Sequence, residues 1–331
     1  MPARLTVHFP SHPARVFLLP DGRETVVGRD ADCDVVLDDD RVSRRHAVLS
    51  SDGSGWSITD AGSKNGTFIG GMPVKSRSLL ERSWISFGGL VARFEKLSLS
   101  VERIEDERLR RLTTSLDLRR GLDPRTGLAE LLPRVVASML ELTNAERGFL
   151  LLAGREGDLE VAARSGLSWE DLKAEEFGGS LGAVQRALAS GEPVVSTDVR
   201  SDAELGERAS VVATGIRALL CVPVRALDRL IGVMYADSRK PGAAFTELDL
   251  EILEALAAQA GLAIAVARLD EELKGLAHRI AAAPEADPGL RARLAGEVSA
   301  VLERSLRPAR PTSAGWTEPL AALPSPFGIG P

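Results

Sequence analysis

Two hydrophobic rhythms divide the chain. From Leu5 to Leu97, apolar and polar residues alternate in short runs: Leu5–Phe9, Val16–Leu19, Glu24–Val27, Val35–Leu37, His46–Leu49, Trp56–Thr59, Thr67–Ile69, Ser83–Phe87 and Val91–Phe94. Turn residues separate them, as in Pro20-Asp21-Gly22, Asp52-Gly53-Ser54-Gly55 and Gly70-Gly71-Met72-Pro73. Side chains of a strand point alternately to its two faces, so many short runs of this kind predict an all-β sandwich.

After Ser98 the rhythm changes. Val101, Ile104, Leu109, Leu112 and Leu116 recur at spacings near three to four among Glu and Arg, which predicts a charged helix with one narrow apolar stripe, closed by Gly121 and Pro124. Between Thr126 and Leu269 the pattern is mixed. Helices are predicted over Gly127–Leu142 and Gly179–Ser190, and strands over Arg147–Leu152, Leu159–Arg164, Pro193–Thr197, Ala218–Ala226 and Leu230–Ala236. Ala203–Thr214 reads as helical or irregular, and a long helix begins near Thr246. Without a strict βαβ repeat, this order predicts an α+β domain around an antiparallel sheet. Leu262, Val266, Leu269, Leu273, Leu276 and Ile280 then form an a/d seam, and beyond Leu269 that seam predicts a partner helix. Leu290–Leu306 could form a short amphipathic helix, and the Pro-rich stretch Arg307–Pro331 predicts disorder.

Composition adds mostly exclusions. The chain has 331 residues, 44% apolar and 27% charged, which is enough for two domains. A net charge of −6 with no Lys/Arg-rich block argues against a nucleic-acid-binding surface. The two cysteines, Cys33 and Cys221, are too few for a disulfide framework or a zinc site. No signal-peptide core and no long unbroken apolar run is present, so a cytoplasmic protein without a membrane span is expected.

Three fragments carry the chemistry: Gly28-Arg29, Val42-Ser43-Arg44-Arg45-His46 and Gly62-Ser63-Lys64-Asn65-Gly66-Thr67. They lie between predicted strands, so they are expected in loops at one end of the sandwich. Guanidinium, hydroxyl, amine and carboxamide groups make a donor set suited to phosphate; no nucleophile–base pair and no metal-ligand set is among them. With Asp34-Val35-Val36-Leu37 and Asp60 in the same order, the segment resembles the forkhead-associated (FHA) domain family over about the first hundred residues. Gly70 departs from that family, which often has Asn there. The resemblance implies an eleven-stranded sandwich that binds phosphothreonine peptides. It implies Arg29, Ser43, Arg44 and Lys64 around the phosphate and Asn65 on the peptide backbone, with Gly28, His46, Gly66 and Thr67 as structural supports. Phosphate offers charge and three acceptor oxygens, and clustered Arg binds it by charge-assisted bonds. A methyl niche would favour threonine over serine by roughly 1–3 kcal/mol.

Gly191-Glu192-Pro193-Val194-Val195, Asp198, Ala218–Val224, Ile231–Asp237 and Phe245-Thr246-Glu247-Leu248-Asp249 resemble the GAF family of sensor domains. That resemblance implies a fold and leaves the cofactor or ligand unassigned. Phe245 and Asp249 match part of a cyclic-nucleotide signature, but Leu250 stands where that signature has Glu. A lone Cys221 in an apolar run argues against thiol redox chemistry and tetrapyrrole attachment, and Gly178-Gly179-Ser180-Leu181-Gly182 lacks the Lys-Ser/Thr of a phosphate cradle.

The expected organisation is an FHA domain over 1–98, a helical linker over 99–125, a GAF domain over 126–268, a helix extension over 269–283 and an Ala/Pro-rich tail over 284–331. The expected function is a non-catalytic, homodimeric signalling adaptor. It would dock phosphothreonine proteins made by a Ser/Thr kinase and use its GAF domain to sense a small molecule or to dimerise. The alternatives are an enzyme acting in the GAF pocket and a scaffold without a GAF ligand. Thr113 and Thr114 follow Arg110-Arg111, and Asp117 lies three residues after Thr114, so both are candidate phosphorylation sites for the chain's own FHA domain or its dimer mate.

Overall fold

The computed structural model describes residues 1–10, 12–52, 55–97, 101–154, 158–173, 178–196, 215–240 and 243–281, with three isolated positions beyond. The segments Ala203–Thr214 and Arg307–Pro331, Asp198 and nearly all of Leu290–Leu306 lie outside the described residues.

Eleven strands form the first domain: β1 (Ala3–His8), β2 (Arg15–Leu19), β3 (Thr25–Gly28), β4 (Val35–Val36), β5 (Ala47–Ser51), β6 (Trp56–Asp60), β7 (Thr67–Ile69), β8 (Met72–Val74), β9 (Ser76–Leu79), β10 (Arg82–Phe87) and β11 (Leu90–Lys96). They make a six-stranded sheet, β2-β1-β11-β10-β7-β8, and a five-stranded sheet, β4-β3-β5-β6-β9. Period-two alternation supplies the core between them. Leu5, Val7, Ile85, Phe87, Ala92 and Phe94 face Val27, Ala47, Leu49, Trp56 and Ile58, all buried. Each Val, Leu, Ile or Phe among them contributes roughly 1.5–3 kcal/mol by leaving water.

Two strands escape the hydrophobic pattern. Met72 and Pro73, expected in a turn, lie in β8, the outermost strand of its sheet. Proline is tolerated there because an edge strand has a side without a ladder partner. Ser76–Leu79 is polar except for Leu79 and its first three residues are exposed, so nothing in its pattern announces β9.

The linker is α1 (Val101–Arg120). It stops where Gly121 donates back to Asp117 and Leu118, and Asp123 caps a short 3-10 turn, Pro124–Thr126. The second domain then follows: α2 (Leu128–Thr143), β12 (Arg147–Ala153), β13 (Leu159–Ser165), α3 (Trp169–Lys173), α4 (Gly178–Ser190), β14 (Val194–Ser196), β15 (Ala218–Ala226), β16 (Arg229–Ser238) and a long α5 (Glu247–Ala281). The five-residue α3 was not expected. The strands pair antiparallel in the order β13-β12-β16-β15-β14.

This sheet is buried on both faces. Leu150, Leu152, Leu220, Val222, Met234 and Ala236 pack on the side of α2 and α5. Their neighbours Phe149, Leu151, Leu219, Cys221, Val233 and Tyr235 pack with α4, and the Phe149 and Tyr235 rings stack 4.7 Å apart. Arg147 and Asp237, paired across β12 and β16, are both buried. The guanidinium donates Nε and Nη2 to the carboxylate at 2.8 Å each, a fork that opposes the rise that burial alone would impose on Asp237.

Helix α5 is long enough to cross a membrane and holds an 18-residue window of mean hydropathy 1.7 within Glu247–Arg279; half of that window is buried, and the helix packs on the sheet and α2. The seam divides on both sides of Leu269. Beyond it Leu276 is buried within the chain and Leu273 is exposed; before it Leu262 and Val266 are exposed as well. The side chain of Ile280 lies outside the described residues. Thus part of the partner expected for this seam is supplied by the chain itself, α1 being one of the helices packed against α5. The two domains touch where Ala14 N donates to Phe245 O at 2.8 Å and Glu247 N to Ala14 O at 3.3 Å. Arg111 of α1 bonds Leu142 O at 2.7 Å and Asp249, which also accepts from N and Oγ1 of Thr246, the residue capping α5.

Candidate functional site

Three loops meet at one end of the sandwich: residues 29–34, 37–46 and 61–66. They carry all five residues predicted to contact a phosphopeptide. Backbone bonds join the first two loops, Arg29 N to Ser43 O and Asp30 N to Arg44 O, both at 3.0 Å. Lys64 N donates to Ser43 Oγ at 2.9 Å and so ties in the third. That bond uses Ser43 Oγ as an acceptor and leaves its hydroxyl proton free to donate outward. Asn65 Nδ2 donates to Arg41 O at 2.8 Å. Arg29, Arg44, Lys64 and Asn65 are exposed around Ser43.

The predicted supports sit beneath them. His46 is fully buried, accepts from Ser43 N on Nδ1 at 3.0 Å and reaches Gly66 O from Nε2 at 3.2 Å. Those partners require Nδ1 to be an acceptor and Nε2 to carry the proton. Burial lowers its pKa, outweighing the bond to Gly66, so the ring is neutral at neutral pH. Phe87 meets its ring edge-on at 5.8 Å. At Gly28 a Cβ would lie 2.1 Å from Arg44 O and 2.9 Å from Cys33 Sγ, so only glycine lets the first two loops close.

Three supporting features were missed as site residues. Asp60, read only as part of the motif order, is a hub. Its Oδ1 accepts from Gly62 N at 2.8 Å and Ser63 N at 2.9 Å, and its Oδ2 from Ser63 Oγ and Thr67 Oγ1 at 2.6 Å. Burial pushes its pKa up, but these bonds win and hold it at about 2. Asp39 grips Arg41, whose carbonyl orients Asn65. Gly88, at φ +61°, lets the β10–β11 turn approach Arg41 O, where a Cβ would sit at 2.2 Å. The sequence signal for Asp60 was its place at a strand end shortly before Gly-Ser; the other two had none, because each acts on the site through the backbone carbonyl of Arg41.

Elsewhere the geometry is less chemical. Cys33 is buried under the loops, its Sγ 3.1 Å from Arg44 O, and Cys221 is fully buried in the GAF-like sheet, where burial pushes its thiol up. Thr113 and Thr114 are exposed on α1, and Thr113 Oγ1 donates to Leu109 O at 2.9 Å. A cleft of about 300 Å³ lies between the domains, lined in part by Arg4, Thr6, Arg93, Thr143 and Lys240. Arg4 and Arg93 there pair with Glu95, which commits them to structure.

The family model for the FHA domain matches residues 25–88, and that for the GAF domain matches residues 127–264. The chain carries an FHA domain followed by a GAF domain. Among curated relatives, the glycogen accumulation regulator GarA of Mycolicibacterium smegmatis is 42% identical over 72 residues, which are 22% of this chain and 45% of GarA. The Nif-specific regulatory protein of Sinorhizobium fredii is 29% identical over 141 residues, 42% of this chain and 24% of that protein. The chain thus spans less than half the length of either relative. A solved FHA domain, described for phosphothreonine-dependent interactions, is 27% identical and aligns over 30% of this chain and all of its own, with a TM-score of 0.28.

Proposed function

We propose that the chain is a non-catalytic signalling adaptor of the cytoplasm whose FHA domain docks phosphothreonine proteins produced by a Ser/Thr kinase. One observation carries the reading: three loops, bonded to one another, gather Arg29, Ser43, Arg44, Lys64 and Asn65 at one exposed end. Two guanidinium groups, an ammonium, a hydroxyl and backbone-fixed loops are suited to a dianionic phosphate with three acceptor oxygens. The carboxamide of Asn65 has its oxygen available to accept a peptide N–H. The FHA family match and the regulator GarA support the same direction.

A phosphopeptide-library screen with the wild-type chain and Arg44→Ala tests this reading. Wild type is expected to select phosphothreonine peptides, and Arg44→Ala to lose at least tenfold, since a charge-assisted contact contributes roughly 1.5–3 kcal/mol. Equal binding of phosphorylated and unphosphorylated peptides by wild type contradicts it.

The GAF domain, in this reading, senses a small molecule, dimerises, or both. Dimerisation is favoured by two exposed stripes at helical spacing, Leu109, Leu112 and Leu116 on α1 and Leu262, Val266 and Leu273 on α5. Apolar rows on packed helices seek a second pair of helices. Light scattering is expected to give a dimer for wild type and a monomer for Leu112→Glu with Val266→Glu; a wild-type monomer at tens of micromolar contradicts it.

A further inference from the structure

The loops of the FHA site hold three consecutive aspartates, Asp38-Asp39-Asp40, beside a group of cations. Two of them stand in opposite surroundings. Asp39 is a building residue with a side chain only 16% exposed. It accepts from Arg41 N and Nε at 2.9 Å and from Nη2 at 2.7 Å, and these bonds to Arg41 hold its carboxyl below the usual carboxylate range. Arg41 O in turn accepts from Asn65. Asp40 next to it is fully exposed, and its carboxylate lies 3.4 Å from Nη1 of Arg29. That arginine is the one whose backbone N–H bonds Ser43 O, at the centre of the donor cluster.

We infer that Asp40 is an intramolecular competitor for the phosphate: its carboxylate occupies Arg29 in the free protein and is displaced when the phosphothreonine arrives. The inference rests on the phosphothreonine reading of the site. An exposed ion pair is weak and exchanges readily, so it can hold Arg29 without blocking the site. A dianionic phosphate with three acceptors outcompetes a single carboxylate for the same guanidinium. Displacement lowers the affinity for every anion and leaves their ranking intact. Its effect is a threshold, because singly charged acidic peptides, already weak ligands, fall below binding at ordinary concentrations. Asp40 is therefore an affinity-setting residue, whereas its neighbour Asp39 is a positioning residue for Asn65.

The two aspartates predict opposite outcomes, which makes the test sharp. The full chain is titrated by fluorescence anisotropy with the phosphothreonine peptide that wild type selects from a library, and with its unphosphorylated form. Asp40→Asn removes the charge from a fully exposed side chain, so folding is not at stake. It is expected to tighten phosphopeptide binding by about three- to fivefold at low salt, with the gain shrinking as salt screens the pair. Asp39→Asn is expected to weaken binding. In an Arg29→Ala background, Asp40→Asn is expected to change affinity by less than about twofold, because the partner it competes for is gone. The inference is overturned if Asp40→Asn binds no tighter, if its gain is the same without Arg29, or if Asp39→Asn strengthens binding equally. Failure of the phosphothreonine reading has a different signature: wild type then fails to distinguish the two forms of the peptide.

Discussion

The apical loops of the FHA domain and the sheet of the GAF domain both rely on paired polar groups, and they use them in opposite ways. In the GAF sheet, Arg147 and Asp237 consume each other inside the protein, with the aspartate at 0% exposure. In the FHA loops the buried His46 and the half-buried Asp60 and Ser43 bond mainly to backbone and hydroxyls, and the cations above them remain exposed. A polar network that is satisfied internally gives a fixed sheet; one that satisfies only its lower half presents donors to a ligand. That difference explains why chemistry can be assigned to one domain and only architecture to the other.

Removing half of the internal pair should produce the largest effect. Arg147→Ala leaves Asp237 buried and unpaired, and is expected to destabilise the GAF domain by roughly 3–5 kcal/mol. Phosphopeptide affinity of the FHA domain should be unchanged if the two networks are independent. Denaturant unfolding monitored together with peptide binding checks this, and equal loss of both would break the contrast.

Asp60 sharpens the other side. Its pKa of about 2 lies below the ordinary carboxylate value of 3.8, so its ionised form stabilises the folded loops. The linkage runs in one direction: the contribution is complete above pH ~4 and is lost as pH falls through about 2. At roughly 1.4 kcal/mol per unit, discounted for partial exposure, it amounts to roughly 1–2 kcal/mol. Asp60→Asn is therefore expected to lower the melting temperature of the FHA domain at pH 6, and the difference from wild type should shrink steadily as pH falls from ~4 through about 2. A difference that does not shrink over that range would mean the bonds from Ser63 and Thr67 do not depend on the charge. Smallest is the gain expected from Asp40→Asn, which reports on an exposed pair.

The legibility of the chain follows the same division. Strands whose alternation fills the sandwich, such as Val91–Phe94 and Ser83–Phe87, were readable because burial writes a period of two. β9 was not, being polar and exposed, and β8 was masked by the Gly70-Gly71 turn and by Pro73, which only an edge position admits. The donors Arg29, Arg44 and Lys64 were readable as residue types in three loop motifs whose order resembles the FHA family. Their supports were less so. The path from Asp39 through Arg41 to Asn65 runs over a carbonyl oxygen, and backbone atoms leave no mark in a sequence. The seam on α5 was legible as a repeat, but a repeat cannot say that Leu276 is covered by the chain itself while Leu262, Val266 and Leu273 are not.

Recognition of the phosphate is the central property of the FHA site. Isothermal titration of the wild-type chain with one library-selected peptide, phosphorylated and unphosphorylated on its threonine, is the direct measurement. Saturable binding of the phosphorylated form alone, weakened at least tenfold by Arg44→Ala, is the predicted result. Equal heats from both forms, or binding unaffected by Arg44→Ala, would contradict it.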